Sequence, residues 1–449
     1  MAGKPVHPAR KVTEEIYIMM TYEEALTYYD KAALAGSILQ RDVMEALLQE
    51  IGNPHLDMKY IHIAGTNGKG SCSAFTSSIL NKAGYRTGLY VSPYIQEFGE
   101  RVQVSGQLIP KEAVASITEE LVNASKVIME RGFRQPTVFE LITAMGFLWF
   151  KRQNCDIVVL EVGMGGKLDA TNSIPEAEVY TIMNIGYDHI GELGDTLELI
   201  AGEKAGIIKE AGGPVVVYDQ GENVLDVFRG VCAEKNKKMV VADSAPAVVK
   251  SIDIDGTVID YKNYKDLRIS LLGNYQVRNA VTVINVIEQL IERGWNITEQ
   301  NIRDGLATAH WPGRVEVLRR DPVVIVDGAH NPQGTTALAE TLRSIFPDRK
   351  FTFVCGVLAD KDYDSSLDVI APLAEKFYAV TPNSYRALSA EQLAKEITSR
   401  CNVPAKSYDT IPEALDDVMA NASKDDIICV FGSLYQVGEI RSYYGFNTF

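Results

Sequence analysis

Apolar residues recur at three- and four-residue steps in YEEALTYYDKAAL and RDVMEALLQEIG, so the first sixty residues read as helical until Gly52 and Pro54 end the pattern. From Lys59 the regime changes. YIHIAG reads as a short buried strand, GTNGKGS as a glycine-rich turn, and SAFTSSILNKAG as a helix that ends at Gly84. TGLYVS is a second strand, ending at Pro93. QPTVFELITAMGFLWFKRQ is an amphipathic helix after Pro136, and it feeds DIVVLEVG, an apolar run suited to a central parallel strand. VYTIMNIG, PVVVYD and KMVVAD continue the alternation, with the helical segment LELIAGEKAGIIKEAG between them. Strands alternating with helices predict an α/β fold with a mostly parallel sheet.

From about Ser251 to Leu271 the pattern is short and strand-like, with IDGTVIDYKN as hairpin material, before NAVTVINVIEQLIERG forms one more long helix. The glycine and proline of HWPGR mark a linker. Beyond it the rhythm restarts with PVVIVDGA, a helix from TTALAETLRSIF, FTFVCGVL, a helix around SSLDVIAPLAEK, FYAVTP, a helix around AEQLAKEITS, and DIICVFGS. Two α/β domains of unequal size are expected, residues 1–311 and 312–449, with the boundary placed to within about 4 residues.

Composition agrees with a globular chain. Its 449 residues carry 44 Lys and Arg against 59 Asp and Glu, a net charge of −15, which excludes the clustered basic surface that nucleic acid requires. No stretch of about 18 apolar residues occurs, and MAGKPVHPARKVTEE has no apolar core behind its basic residues, so a cytosolic protein without membrane contact is expected. The six cysteines, Cys72, Cys155, Cys232, Cys355, Cys401 and Cys429, stand apart without a CxxC pair and read as thiols in a reducing compartment.

The strongest chemical signal is Gly65-Thr66-Asn67-Gly68-Lys69-Gly70-Ser71 between a strand and a helix. Glycines let backbone amides close around phosphate oxygens, and Lys69 can reach the β- and γ-phosphates. A plain tight turn would explain the glycines but not the lysine between them. Gly70 stands where the general phosphate-loop pattern has a Ser or Thr for Mg²⁺, so metal ligands must come partly from elsewhere. Glu161 ends a strand ahead of Val-Gly-Met-Gly-Gly, at the sheet edge where α/β ligands bind, and reads as a metal ligand. A dinucleotide fingerprint at Gly163, Gly165 and Gly166 is the competing reading, but LDATNSIPE does not continue as a helix. Asp188 and His189 close another strand, and carboxylate, imidazole and hydroxyl ligands with waters suit Mg²⁺ or Mn²⁺ bridging phosphates. His7, His55 and His62 read as surface or core residues and His310 as part of the linker. Lys204 and Lys209, five apart on one predicted helix, have a solvated helix face as their plain reading. Asp327 and His330 sit at a strand end in the second domain, with Gly328 and Pro332 shaping a tight loop. Two strand-end sites on two domains predict a cleft closed between them.

Taken together, GTNGKGS (65–71), YVSPYIQEFGERV (90–102), TVFE (137–140), EVGMGGKLDATN (161–172), IGYDHIGELGDTLELIAGEKAGIIK (185–209), LLGNYQVRNA (271–280), WPGRVE (311–316), VDGAHNPQG (326–334) and FGSLYQVGEIR (431–441) resemble the folylpolyglutamate synthase and dihydrofolate synthase family of the Mur ligase superfamily. The resemblance runs from about Tyr22 to the C-terminus. It implies a P-loop ATPase domain with a mostly parallel sheet and a smaller, Rossmann-like α/β domain. It further implies that Ser92, Glu161 and His189 ligate magnesium, that Lys69 and the amides of residues 65–71 hold the triphosphate of ATP, and that Asn279, Arg314 and Asp327 contact the nucleotide. Lys204 matches the lysine that is carbamylated in this family, and with Lys69 and His189 it makes up the catalytic set. Thr137, Phe139 and Asp169 would meet the pteroate, while Arg101, His330 and Ser433 would position the incoming glutamate. A monovalent cation is a further implied ligand, and the family is usually monomeric. Lys167, Tyr275 and the first twenty residues depart from the family pattern without removing a metal or phosphate ligand.

The implied chemistry suits these residues. A carboxylate is a poor acylating agent until ATP phosphorylates it, and an amine then displaces the phosphate. The implied substrates are ATP, L-glutamate, and dihydropteroate or reduced folates. An enzyme limited to polyglutamylation, a P-loop switch without ligase activity and a cell-wall peptide ligase are the alternatives.

Overall fold

The computed structural model describes residues 20–33, 36, 40–384 and 386–446; His7 and the N-terminal departure from the family pattern lie outside them. An eight-stranded sheet is built from β1 (Tyr60–Ala64), β2 (Thr87–Tyr90), β3 (Val102–Val104), β4 (Gln107–Leu108), β5 (Ile157–Glu161), β6 (Val179–Ile182), β7 (Val215–Tyr218) and β8 (Met239–Ala242). Their order is β4-β3-β2-β5-β1-β6-β7-β8, parallel from β2 to β8 and antiparallel at the β3/β4 edge. The chain leaves β1 for β2 on one side and returns through β6 on the other, so the carboxyl end of β1 is a topological switch point, where open α/β sheets bind ligands.

Alternation along each strand feeds two cores. On β1, Tyr60 and Ala64 pack with the helices Tyr22–Ala33, Asp42–Glu50, Lys111–Glu130 and Val138–Arg152, whereas Ile61 and Ile63 pack with Lys69–Lys82, Asn274–Glu292 and Glu299–Thr308. The hairpin expected after Ser251 is a separate antiparallel sheet of three strands, β9 (Val248–Asp253), β10 (Gly256–Tyr261) and β11 (Tyr264–Ile269). A third sheet holds β12 (Glu316–Arg320), β13 (Val323–Val326), β14 (Phe351–Cys355), β15 (Ala374–Val380), β16 (Ala405–Tyr408) and β17 (Ile427–Phe431), ordered β12-β13-β17-β14-β15-β16 and parallel except at β12.

Two expected helices are shorter than their patterns. LELIAGEKAGIIKEAG is helical only over Leu197–Ala205, with Gly206 as its cap, and a Cβ at Gly206 would fall 2.4 Å from the Lys167 Cβ, so that position requires glycine. SSLDVIAPLAEK breaks at Pro372, and Ala374–Lys376 already belong to β15. The longest helix, Lys111–Glu130, was not anticipated, although Val114, Ile117, Leu121 and Ile128 bury one face at helical spacing. All six cysteines are free thiols, and burial pushes Cys72 up to about 12. No helix among the described residues is long and apolar enough to cross a membrane.

Candidate active site

The glycine-rich turn leaves β1 and enters the helix Lys69–Lys82, and its glycines are dictated by neighbours. Gly65 and Gly68 have φ of +146° and +88°, and their missing side chains would strike Met183 at 2.6 Å and the Asn279 amide at 2.7 Å. At Gly70 a Cβ would lie 2.7 Å from the Trp311 indole, which is why no hydroxyl residue occupies that position. Thr66 and Asn67 donate their backbone N–H groups to the Asn184 carbonyl at 2.8 and 3.2 Å. Ser71 Oγ receives the Gln276 amide at 3.0 Å, and Gln276 in turn receives Asn279 at 2.9 Å. Lys69 Nζ donates to the carbonyls of Gly65 and Thr66 at 2.9 and 3.2 Å, and Lys204 Nζ donates to the same Gly65 carbonyl at 3.0 Å. Two ammonium groups therefore converge on one oxygen. Lys204 is 4 % exposed, and burial, reinforced by the neighbouring Lys69 charge, brings its pKa down to about 7.

Glu161 ends β5 directly beside β1, paired with Ile63. It is buried, its Oε2 has no hydrogen-bond partner, and burial raises it to about 7 against the attraction of Lys69 and Arg314. A buried carboxylate with an orphaned oxygen facing two cations fits a hard divalent ion, which takes most of its remaining shell from phosphate and water. Ser92 follows β2, half-buried, at a cis Ser92–Pro93 bond. His189 is exposed at the rim, with its Nε2 3.7 Å from Asp188 Oδ2. Among the described residues no three His, Cys, Asp or Glu side chains stand close enough to enclose a metal.

From the second domain, Asp327 follows β13 and accepts the Val315 and Ala329 N–H groups at 2.8 and 2.7 Å; burial raises its pKa while Arg314 opposes the rise. His330 Nδ1 lies 2.8 Å from the Gly328 carbonyl, so that nitrogen carries the proton and Nε2 keeps a lone pair, and burial holds the ring below the usual imidazole range. Ser433 is buried just past β17. Gln333 crosses between the domains, accepting from Asn67 Nδ2 at 3.3 Å.

Just ahead of β3, the Arg101 guanidinium lies 5.0 Å from the Tyr94 ring, and its buried Nε has no hydrogen-bond partner. Thr137 caps the helix Val138–Arg152 and donates its hydroxyl to Glu140 at 2.9 Å, and Arg134 holds the same carboxylate through two bonds. Phe139 packs on Gly163 so closely that a Cβ would fall 2.4 Å from its ring. Asp169 is only 2 % exposed, with its carboxylate turned inward on Met164 and Thr171. Lys209 is no solvated helix face: beyond the end of its helix, it donates to the Asn172 carbonyl at 2.8 Å and to that of Ile174. His55 and His62 are core residues, and His310 faces Glu316 at 3.7 Å in the linker. Sequence reasoning missed the roles of Gln276, Trp311 and Gln333, although each lies inside one of the motifs LLGNYQVRNA, WPGRVE and VDGAHNPQG.

The Mur ligase middle domain matches residues 63–287, and the Mur ligase glutamate ligase domain matches residues 313–434. The chain is 34% identical over 406 residues to a dihydrofolate synthase/folylpolyglutamate synthase of Bacillus subtilis, covering 89% of this chain and 93% of that protein. Among solved structures, it is similar to the folylpolyglutamate synthase of Thermotoga maritima, with a TM-score of 0.85 at 32% identity over 95% of this chain and 97% of the other. It is also similar to the Mycobacterium tuberculosis folylpolyglutamate synthase complexed with ADP and AMPPCP, with a TM-score of 0.84 at 30% identity over 94% and 99% of the two chains. With the nucleotide loop, the strand-end carboxylate and both domains accounted for, the chain belongs to the dihydrofolate synthase/folylpolyglutamate synthase family of Mur ligases.

Proposed function

We propose that this protein is an ATP-dependent ligase that joins L-glutamate to dihydropteroate, to reduced folates, or to both. The glycine-rich loop at the switch point of the sheet, with Lys69 at the start of its helix and the buried Glu161 on the neighbouring strand, carries the reading, because it brings phosphate-binding amides, a cation and a metal-binding carboxylate to the place where a triphosphate and an acceptor carboxylate must meet. Residues 1–311 form the ATP-binding domain and residues 312–449 the glutamate-binding domain. The chain acts in the cytosol as a monomer.

An acceptor carboxylate oxygen forms a bond to the γ-phosphorus as the bond to the β-γ bridging oxygen breaks, releasing ADP. Lys69 leaves the loop carbonyls to lie against the phosphate oxygens, and Asn279, Arg314 and Asp327 hold the nucleotide. Ser92, Glu161 and His189 would hold Mg²⁺, which would neutralise phosphate charge. The neutral amine of Lys204, a substantial fraction near pH 7, adds to carbon dioxide and releases a proton to give a carbamate, whose carboxylate-like oxygens would help hold a second divalent ion, and a monovalent cation would balance the charge. Thr137, Phe139 and Asp169 line the acceptor side, while Arg101, His330 and Ser433 orient glutamate. The His330 Nε2 lone pair accepts a proton from the incoming ammonium; the freed amine attacks the acyl carbon and phosphate leaves. Closure of the domains excludes water from the acyl phosphate.

The test is ADP release by the purified chain with MgATP and L-glutamate, comparing dihydropteroate with tetrahydrofolate and weighing the products. Release that requires glutamate and either acceptor, with product mass raised by one glutamyl residue, is the expected result. Turnover with tetrahydrofolate alone restricts the enzyme to polyglutamylation, and slow hydrolysis indifferent to both acceptors and glutamate overturns the ligase reading.

A further inference from the structure

His62 sits mid-strand on β1 and is fully buried, yet its ring is not merely core filling. Its Nε2 lies 2.9 Å from Thr171 Oγ1, which lies 2.5 Å from Asp169 Oδ1. Asp169 also receives the backbone N–H groups of Thr171 and Met164, each at 2.9 Å, and that of Gly163. Burial raises the Asp169 pKa, but those amides and the Thr171 hydroxyl oppose the rise and favour the ionised carboxylate, an acceptor only, so the single Thr171 hydroxyl proton points to Asp169 and His62 donates from Nε2. This arrangement gives every proton an acceptor and leaves only the Nδ1 lone pair unpaired, in agreement with the absence of a partner at Nδ1. The opposite tautomer would bury an orphaned N–H donor, the rarer and costlier defect. Burial holds the ring neutral, with a pKa down to about 3.

The chain of bonds ends on a segment that matters. Asp169 closes a ring over Gly163 and Met164, and Gly163 is the surface on which the Phe139 ring rests. Glu161 itself is fixed by the β1/β5 ladder, whereas the turn after it depends on the Asp169 clamp. We propose that His62 is a positioning residue that, through Thr171 and Asp169, sets the Gly163–Phe139 surface against which the acceptor's ring system packs. This rests on the acceptor lying at Phe139, as in the proposed function.

The experiment uses the full chain in four variants. His62→Leu and Thr171→Val are expected to raise the acceptor KM roughly tenfold or more while the KM for MgATP stays within about twofold, because the bonds lost lead to the Gly163–Phe139 surface and not to the phosphate loop. His62→Gln, whose amide N–H reaches the Nε2 position, is expected to stay within about threefold of the parent, and the double variant to be no worse than the worse single one, as for members of one network. Phe139→Ala probes the acceptor site directly. If Phe139→Ala raises the acceptor KM and His62→Leu and Thr171→Val do not, the relay is overturned and the acceptor site stands. If Phe139→Ala leaves the acceptor KM unchanged, both fall. Equal rises in the acceptor and MgATP KM values would reduce His62 to a structural role and overturn the proposal. Imidazole nitrogen spectra of the ¹⁵N-labelled parent, with His62 assigned by its loss in His62→Gln, give an independent readout. A neutral ring protonated on Nε2 is expected between about pH 5 and pH 8, and a proton on Nδ1 overturns the relay.

Discussion

Lys69 and Lys204 share one carbonyl, yet their chemistry differs because their burial differs. Lys69 is half-exposed at the start of a helix whose dipole and amides favour anions, and Lys69→Ala is expected to abolish turnover while leaving the fold intact. Normal activity in that variant would refute the phosphate-loop assignment. Lys204 accepts a proton below about 7 in the folded state and below its ordinary 10.5 when unfolded. Between these values the unfolded chain binds more protons, so stability rises with pH across that window, and the full penalty is present below about 7. Lys204→Met is therefore expected to gain on the order of a few kcal/mol of stability at pH 6 to 7, seen as a higher melting temperature, with a gain that fades toward pH 10. An unchanged melting temperature at pH 6 would show that the ammonium is better compensated than its burial indicates. Activity is lost in the same variant, and in Lys204→Ala its recovery with added short-chain carboxylate would support the carbamate role.

At the scale of elements, the acceptor side is held by a cap and a clamp. Thr137 and Glu140 exchange bonds across the first turn of their helix, with Arg134 on the same carboxylate. Thr137→Ala is expected to cost about 1 kcal/mol of stability, seen as a shifted urea midpoint, because the cap of one helix is lost. Gly163→Ala should act differently. A Cβ there would collide with the Phe139 ring, so the acceptor KM is expected to rise more than stability falls, and an unchanged acceptor KM would separate this surface from recognition. The strand-turn-helix around residues 60–82 was legible from local pattern alone, as was the strand ending at Glu161. The β3/β4 edge was not: two- and three-residue strands carry too few positions for periodicity to register.

Across the whole molecule, the linker reaches the nucleotide loop through one side chain. Trp311 lies on Gly70, and Gln333 of the second domain bonds Asn67, so a movement about the linker is felt where the phosphates bind. Adding MgATP is expected to change the tryptophan fluorescence of the parent chain and not that of Trp311→Phe, since Trp149 packs on the opposite face of the sheet and Trp295 sits against Tyr85 and Lys59. A change that persists in Trp311→Phe would uncouple the linker from the loop.

By itself, the sequence determined the α/β alternation, the glycine turn with its lysine, and the strand-end placement of Glu161 and Asp327, whereas β6 ends at Ile182, six residues short of Asp188. Each of these is written in local periodicity and turn chemistry. Only the tertiary structure decided what those residues meet. Periodicity specifies which face of a strand is buried but not which neighbour covers it, and β1 finds its partners about a hundred residues away in β5 and β6. That is why His62 read only as a surface or core histidine until Thr171 came within 2.9 Å, and why the missing hydroxyl at Gly70 had no cause until Trp311 was seen lying on it. Asp169, placed by resemblance on the acceptor side, has its carboxylate held by four protein donors, a clamp that no local pattern announced because its members are set by the turn they close.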